Sequence, residues 1–291
     1  MIFSPTSSII YCRPHRYLYI RIYVITIIME IDPKFTFMPL NEKNYPGISD
    51  KNTQEYLCKW CLKENFVIQN FSFNEPFQYY HKYQLVDAFF KDDAVVKALL
   101  SKQGDTWARQ GIQASTVEIK QVPCSVLSMT FFNKLKDPNN GITYSSGTIR
   151  KRYDMQVEDF LISDNLHGML LDEDSDEYNL YAEDERKEFV FRIFQMLVLG
   201  GMLCQFEDTL QPYLNVTRSI YKDLVRVQKH NVSNDFFVST LVLEVIARDS
   251  KGQEYFPSNT SNKQNIAFLL IHADSREITT FVHQYGGYCS M

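Results

Sequence analysis

The sequence predicts an α+β fold: a helical N-terminal and central part followed by a C-terminal antiparallel β-meander. Two stretches carry this expectation. In Glu188–Asp208, apolar residues fill nine positions between Phe189 and Leu199, interrupted only by Glu188, Arg192 and Gln195. Those three fall four and three apart, on one narrow stripe of a helix, so the rest of its surface is available for a core. In the last third, Leu224–Val227, Phe236–Arg248, Ile266–His272 and Glu277–Gln284 are β-branched and aromatic runs. Four strands with no helix between them favour an antiparallel meander. The four-residue connection Ala273–Arg276 reads as a hairpin turn.

In chain order, Tyr17–Ile28 is apolar and β-branched, with basic residues before it, which raises a signal peptide. Arg21 inside the run, its twelve-residue length and the lack of a small-residue cleavage site speak against one. Residues 1–28 are therefore expected to be a weakly structured or spurious extension. Residues 29–291 are expected to form a single large α+β domain, with a possible internal boundary in loop 137–152. Phe35–Leu40 reads as a strand, Pro46-Gly47 as a turn, and Ser49 or Asp50 as the start of a helix to about Lys63. Phe66–Phe73 has strand character. Lys82–Ser101 has an amphipathic helical period ending at Gly104. Val117–Val122 is expected as a strand, Pro123–Leu135 as a helix, and Phe160–Leu171 as another. The acidic run Asp172–Glu177 suits a solvated loop. Glu183, Asp184 and Glu185 favour the N-terminus of the central helix, and Gly200-Gly201 its end. Pro212 is expected to break the chain, with a helix from about Asn215 to Asp223.

Composition sets bounds on function. Of 291 residues 45% are hydrophobic, and 21 Phe with 18 Tyr supply ample core mass, which argues against disorder. The net charge is -5, and the three arginines of residues 1–28 leave the remainder at 27 basic against 35 acidic residues. No basic cluster marks a nucleic-acid binder. Six scattered cysteines resemble reduced, buried thiols more than a disulfide framework. The tripeptides starting at Asn215, Asn231 and Asn259 match the glycosylation pattern, which matters only on a secretory route.

Each candidate for chemistry has a plainer structural explanation. Cys58-Lys-Trp-Cys61 has zinc or redox spacing but lacks a second ligand pair and falls late in a helix. His272, Asp274 and His283 have the residue types of a facial iron triad, although the two histidines stand across one hairpin. Cys124 and Cys204 could act as nucleophiles, yet both lie in apolar runs. Gly141–Thr148 has the wrong spacing and no lysine for a phosphate loop. Asp92-Asp93 and Glu207-Asp208 suit helix ends or surface charges. No catalytic, cofactor-binding or metal residues are assigned, and no cofactor is expected. The alternative is an enzyme using a cysteine nucleophile or the His/Asp metal site.

Several segments, taken together and in order, resemble the cilia- and flagella-associated protein 300 family. They are Ala88-Phe-Phe-Lys-Asp92, Val122-Pro-Cys-Ser-Val-Leu-Ser-Met-Thr-Phe-Phe132, Phe160-Leu-Ile-Ser-Asp-Asn-Leu166, Leu199-Gly-Gly-Met-Leu-Cys-Gln-Phe-Glu-Asp208, Pro212-Tyr-Leu214 and Thr217-Arg-Ser-Ile-Tyr-Lys-Asp-Leu-Val225. Tyr285-Gly286 resembles the family's C-terminal end. The resemblance runs from about Phe35 to the C-terminus. It implies a non-enzymatic protein of motile cilia, acting in assembly of outer and inner dynein arms, in the cytoplasm and along the axoneme. It further implies kintoun-like cytoplasmic dynein assembly factors, axonemal dynein subunits and the intraflagellar transport machinery as partners; on charge and on the length of the apolar run, no nucleic acid and no membrane are expected as partners.

Overall fold

The computed structural model describes residues 33–104 and 106–286. The chain divides into two compact units, Met1–Phe35 and Thr36–Met291. The expected extension, residues 1–28, lies outside the described residues. The described helices and strands all belong to the second unit.

The first elements are β1 (Phe37–Pro39), α1 (Lys51–Lys59), β2 (Phe66–Phe73), α2 (Lys82–Lys91) and α3 (Asp93–Ala98). The single helix expected over Lys82–Ser101 is therefore two helices. Asp92 leaves the helical conformation (ψ 131°), and its carboxylate accepts hydrogen bonds from the amides of Ala94 and Val95, starting α3 afresh. Leu99 and Ser101 are not helical; Leu100–Gln103 is β3, paired with β4 (Thr106–Arg109). Strand β5 (Thr116–Val122) follows. Pro123–Ser128 then runs without regular structure instead of helically. A 3-10 turn at Met129–Phe132 and the short α4 (Asn133–Lys136) complete that region.

Phe160–Leu171 also divides. Its first half is β7 (Phe160–Asp164), hairpinned with β6 (Lys151–Val157), and its second is α5 (Asn165–Leu171). Asp164 switches strand to helix by accepting from the His167 amide. The acidic run ends in a 3-10 turn, Asp176–Leu180. After α6 (Glu183–Lys187) comes the central helix α7 (Phe189–Leu199), with Phe189–Phe191, Ile193, Phe194 and Met196–Leu199 all buried. Gly200 terminates it at φ 64°. In α8 (Gln211–Leu224), Pro212 lies in the first turn, where its missing amide costs nothing, so the helix starts earlier than expected.

The C-terminal strands are β8 (Val227–Lys229), β9 (Phe236–Val238), β10 (Leu241–Arg248), β11 (Glu254–Phe256), β12 (Ile266–His272) and β13 (Glu277–His283). The antiparallel C-terminal sheet is present, and it recruits strands from the N-terminal half. The order is β1-β2-β13-β12-β10-β11, with β5 on the free side of β10. β13 pairs with β2 from Glu277↔Ser72 to His283↔Phe66, and β10 pairs with all seven residues of β5. The hairpin β8–β9 stands apart as its own ribbon.

Both faces of this sheet are covered, which explains why every residue of β12 is buried. On one face Phe189 of α7 meets Phe268 edge-on at 5.2 Å, and α8 packs beside α7. On the other, Phe89 and Phe90 of α2 contact Phe37, Phe71 and Phe256 at 5.0–5.3 Å. The result is an antiparallel sheet between two helical layers. The polar stripe of α7 faces neighbours more than water: Glu188 binds the amide and hydroxyl of Ser125, and Arg192 pairs with Glu244 at 2.6 Å. No helix among the described residues is long and apolar enough to cross a membrane.

Candidate interaction surface

The fold sets each sequence candidate for chemistry in its own structural context. His272 and His283 sit at opposite ends of the β12–β13 ladder, because His283 stands opposite Ile266. Ile266 and His272 are six residue steps apart along the strand, about 20 Å at ~3.3 Å per residue. Burial first, then the positive charges of Arg226 and Lys43, push His272 down to about 3. Burial likewise pushes His283 down to about 4. Asp274 lies in the turn, bonded to Gln228. Among the described residues, no group of three or more His, Cys, Asp or Glu could hold a metal.

Burial pushes the thiols of Cys124 and Cys204 up to about 12, so both remain protonated at neutral pH and are poor nucleophiles. Cys124 lies 3.5 Å from the Tyr221 hydroxyl. Cys58 lies in the last turn of α1, and Cys61, at φ 53°, has turned away from the helix. Gly141–Thr148 forms a tight turn, with the Tyr144 amide bonding the Thr148 carbonyl at 2.9 Å. Asp92 is the helix cap expected of it.

Where the sequence suggested a helix end, the segment after α7 builds a junction. The Gly201 amide donates to the Trp60 carbonyl at 2.8 Å, and the Gln205 amide to the Lys59 carbonyl at 3.0 Å. The backbones come so close that a Cβ on Gly201 would stand 2.1 Å from the Cys61 carbonyl oxygen. Trp60 is fully buried, stacked on Tyr213 at 4.6 Å, and its indole N–H donates to Glu207 at 3.0 Å. Lys59 pairs with the same carboxylate at 2.7 Å, so Glu207 is an interior partner and not a surface charge. Gln264 reaches from the loop before β12 to the Gly200 carbonyl. Asn65 binds the Cys61 carbonyl, and its own carbonyl accepts the Gln284 amide. Three distant parts of the chain thus close on one turn.

That turn presents apolar side chains to solvent. Leu203 is 72% exposed and Phe206 46% exposed. Leu203 is held at φ 66°, the left-handed region that costs a branched L-residue roughly 1–2 kcal/mol. Phe206 rests edge-on against His167 at 4.5 Å. His167 is buried and clamped: Nδ1 lies 2.9 Å from the Asp164 carboxylate and Nε2 3.1 Å from the Val198 carbonyl. Burial raises the Asp164 carboxyl, but the hydrogen bonds and charge of His167 outweigh it and hold the group below its ordinary value. Sequence reasoning missed Leu203 and Phe206, since an apolar pair next to a buried helix looks like more core. The Gly-Gly pair was the available signal that the chain turns outward there.

The model of the family described as cilia- and flagella-associated protein 300 matches residues 34–283. The chain belongs to this family. A curated family protein of the same description from Chlamydomonas reinhardtii is 30% identical over 258 residues, covering 87% of this chain and 98% of the relative. One from Paramecium tetraurelia is 27% identical over 239 residues, covering 82% and 89%. No solved structure matches. Family membership makes this a cilium- or flagellum-associated protein, and the family's name is not that of an enzyme family.

Proposed function

We propose that the protein is a non-enzymatic interaction protein acting in assembly or transport of outer and inner axonemal dynein arms. Its partners in this reading are axonemal dynein subunits, kintoun-like assembly factors and the intraflagellar transport machinery, met in the cytoplasm and on the axoneme. The choice of dynein arms rests on the family resemblance. The observation that carries an interaction role is the Met202–Phe206 turn. It spends backbone strain to hold Leu203 in water, on a junction rigid enough to present it, and that arrangement gives the isolated fold nothing back.

Loss of the gene in a ciliated source organism, followed by electron microscopy of axoneme cross-sections, tests the role. The expected result is missing outer and inner arms on otherwise intact doublets. Normal arms with normal beating overturn it. Re-expression of Leu203→Gly then tests the surface: arms should remain deficient although the protein accumulates to normal levels.

A further inference from the structure

A second surface has a different chemistry. A groove of about 390 Å³ runs between the extended segment Pro123–Ser128 and α8, lined by Val126, Leu127, Met129, Val190 and the Tyr221 ring. Arg218 and Lys222 stand on its rim. They are four apart on α8, so they share a face, and like charges at that spacing weaken an isolated helix. Both are exposed, and among the described residues neither has an ion-pair or side-chain hydrogen-bond partner. Arg192, Arg226 and Arg248, by contrast, each hold a glutamate.

The nearby acids Glu188 and Asp223 pair with neither cation and are oriented by neutral donors. Both carboxylate oxygens of Glu188 are taken by Ser125, and Asp223 accepts the Ile48 amide at 2.7 Å. The groove is also preformed. The Phe189 amide binds the Pro123 carbonyl, and the Tyr221 hydroxyl binds the Val126 carbonyl at 2.9 Å, which pins the extended wall at two points. Leu127, 52% exposed, forms its lip. An apolar floor beside two exposed, unpaired cations, on an otherwise acidic chain, is complementary to one kind of occupant.

We propose that this groove binds an acidic segment of a partner protein. An apolar side chain seats against Val126, Leu127 and Met129, and flanking carboxylates meet Arg218 and Lys222. The site stands independently of any role in dynein-arm assembly.

The test uses the full chain and an array of labelled twelve-residue peptides. Each carries a Leu-Phe pair flanked by zero to four glutamates or, as controls, lysines. Binding should rise with the number of glutamates, be absent for the lysine series, and weaken as salt increases. The double variant Arg218→Glu/Lys222→Glu should weaken the best acidic peptide about tenfold or more. Leu127→Ser should weaken it with the salt dependence intact. Thermal melts confirm folding, and Arg218→Gln/Lys222→Gln gives a milder second reading of the charge effect. Binding indifferent to glutamate count, binding unchanged in both double variants, or no binding by any acidic peptide overturns the proposal.

Discussion

At the scale of single residues, position in the fold decides what an apolar side chain is worth. Leu197 is fully buried in α7, whereas Leu203, six residues on, stands in solvent at a positive φ. Leu197→Ala should cost about 2–5 kcal/mol, since it removes packed atoms and leaves a cavity. Leu203→Gly should cost nothing or stabilise by up to about 1 kcal/mol, because glycine accepts the left-handed conformation. Urea denaturation of the two variants checks the contrast. The histidines supply a second residue-scale prediction. His272 and His283 titrate well below the ordinary value when folded. Between about pH 6.5 and pH 4 the unfolded chain therefore takes up protons that the folded chain refuses. Stability is complete above that window and falls as pH drops through it, by about 2 kcal/mol per histidine at pH 5. Urea midpoints at pH 7 and pH 5 measure the fall, and His272→Asn should make it shallower.

At the scale of elements, short-range chemistry sets where helices begin and end. Asp92→Ala should cost about 1 kcal/mol by uncapping α3, with a further loss because Asp92 also receives the Phe37 amide of β1. Gly201→Ala should cost more, about 3 kcal/mol, because its methyl would collide with the backbone of Cys61, which cannot move aside as a side chain could. Thermal melts rank the two. These elements also show what local sequence conveys. Ile266–His272 is read from sequence with the boundaries it has in the structure, and Glu277–Gln284 is one residue too long. Their β-branched runs lie between clear turn residues. Lys82–Ser101 failed because its apolar period continues through Asp92, whose capping role outweighs periodicity. Phe160–Asp164 failed because five apolar-rich residues fit strand and helix equally well. The candidate surface was legible only as far as its glycines, since exposure is a property of the whole fold and leaves no local mark.

At the scale of the molecule, the sheet is what the N- and C-terminal parts share. β2 has its long partner in β13, and β5 has its partner in β10. Such pairings leave no signal between adjacent residues, which is why β2 and β5 looked like independent pieces of a helical half. Neither half can bury its apolar faces alone: Phe90 of α2 packs on Phe256, and Phe189 on Phe268. A chain ending at Thr209 should therefore give no cooperative melt and should bind a hydrophobic dye strongly, whereas the full chain melts in one transition. A cooperative melt of the shorter chain would show that the halves fold separately.

The ladder joining Phe66–Phe73 to Glu277–His283 has a consequence during synthesis. The first of these strands leaves the ribosome long before its mate exists. At about 5–20 residues per second, the interval is on the order of 10–40 s. Throughout that time Phe90 of α2 lacks Phe256, and once α7 is made its Phe189 lacks Phe268. Each newly made molecule passes through a sticky stage whose length is set by translation, and the protein's yield in a cell will follow the supply of chaperones that shield nascent chains.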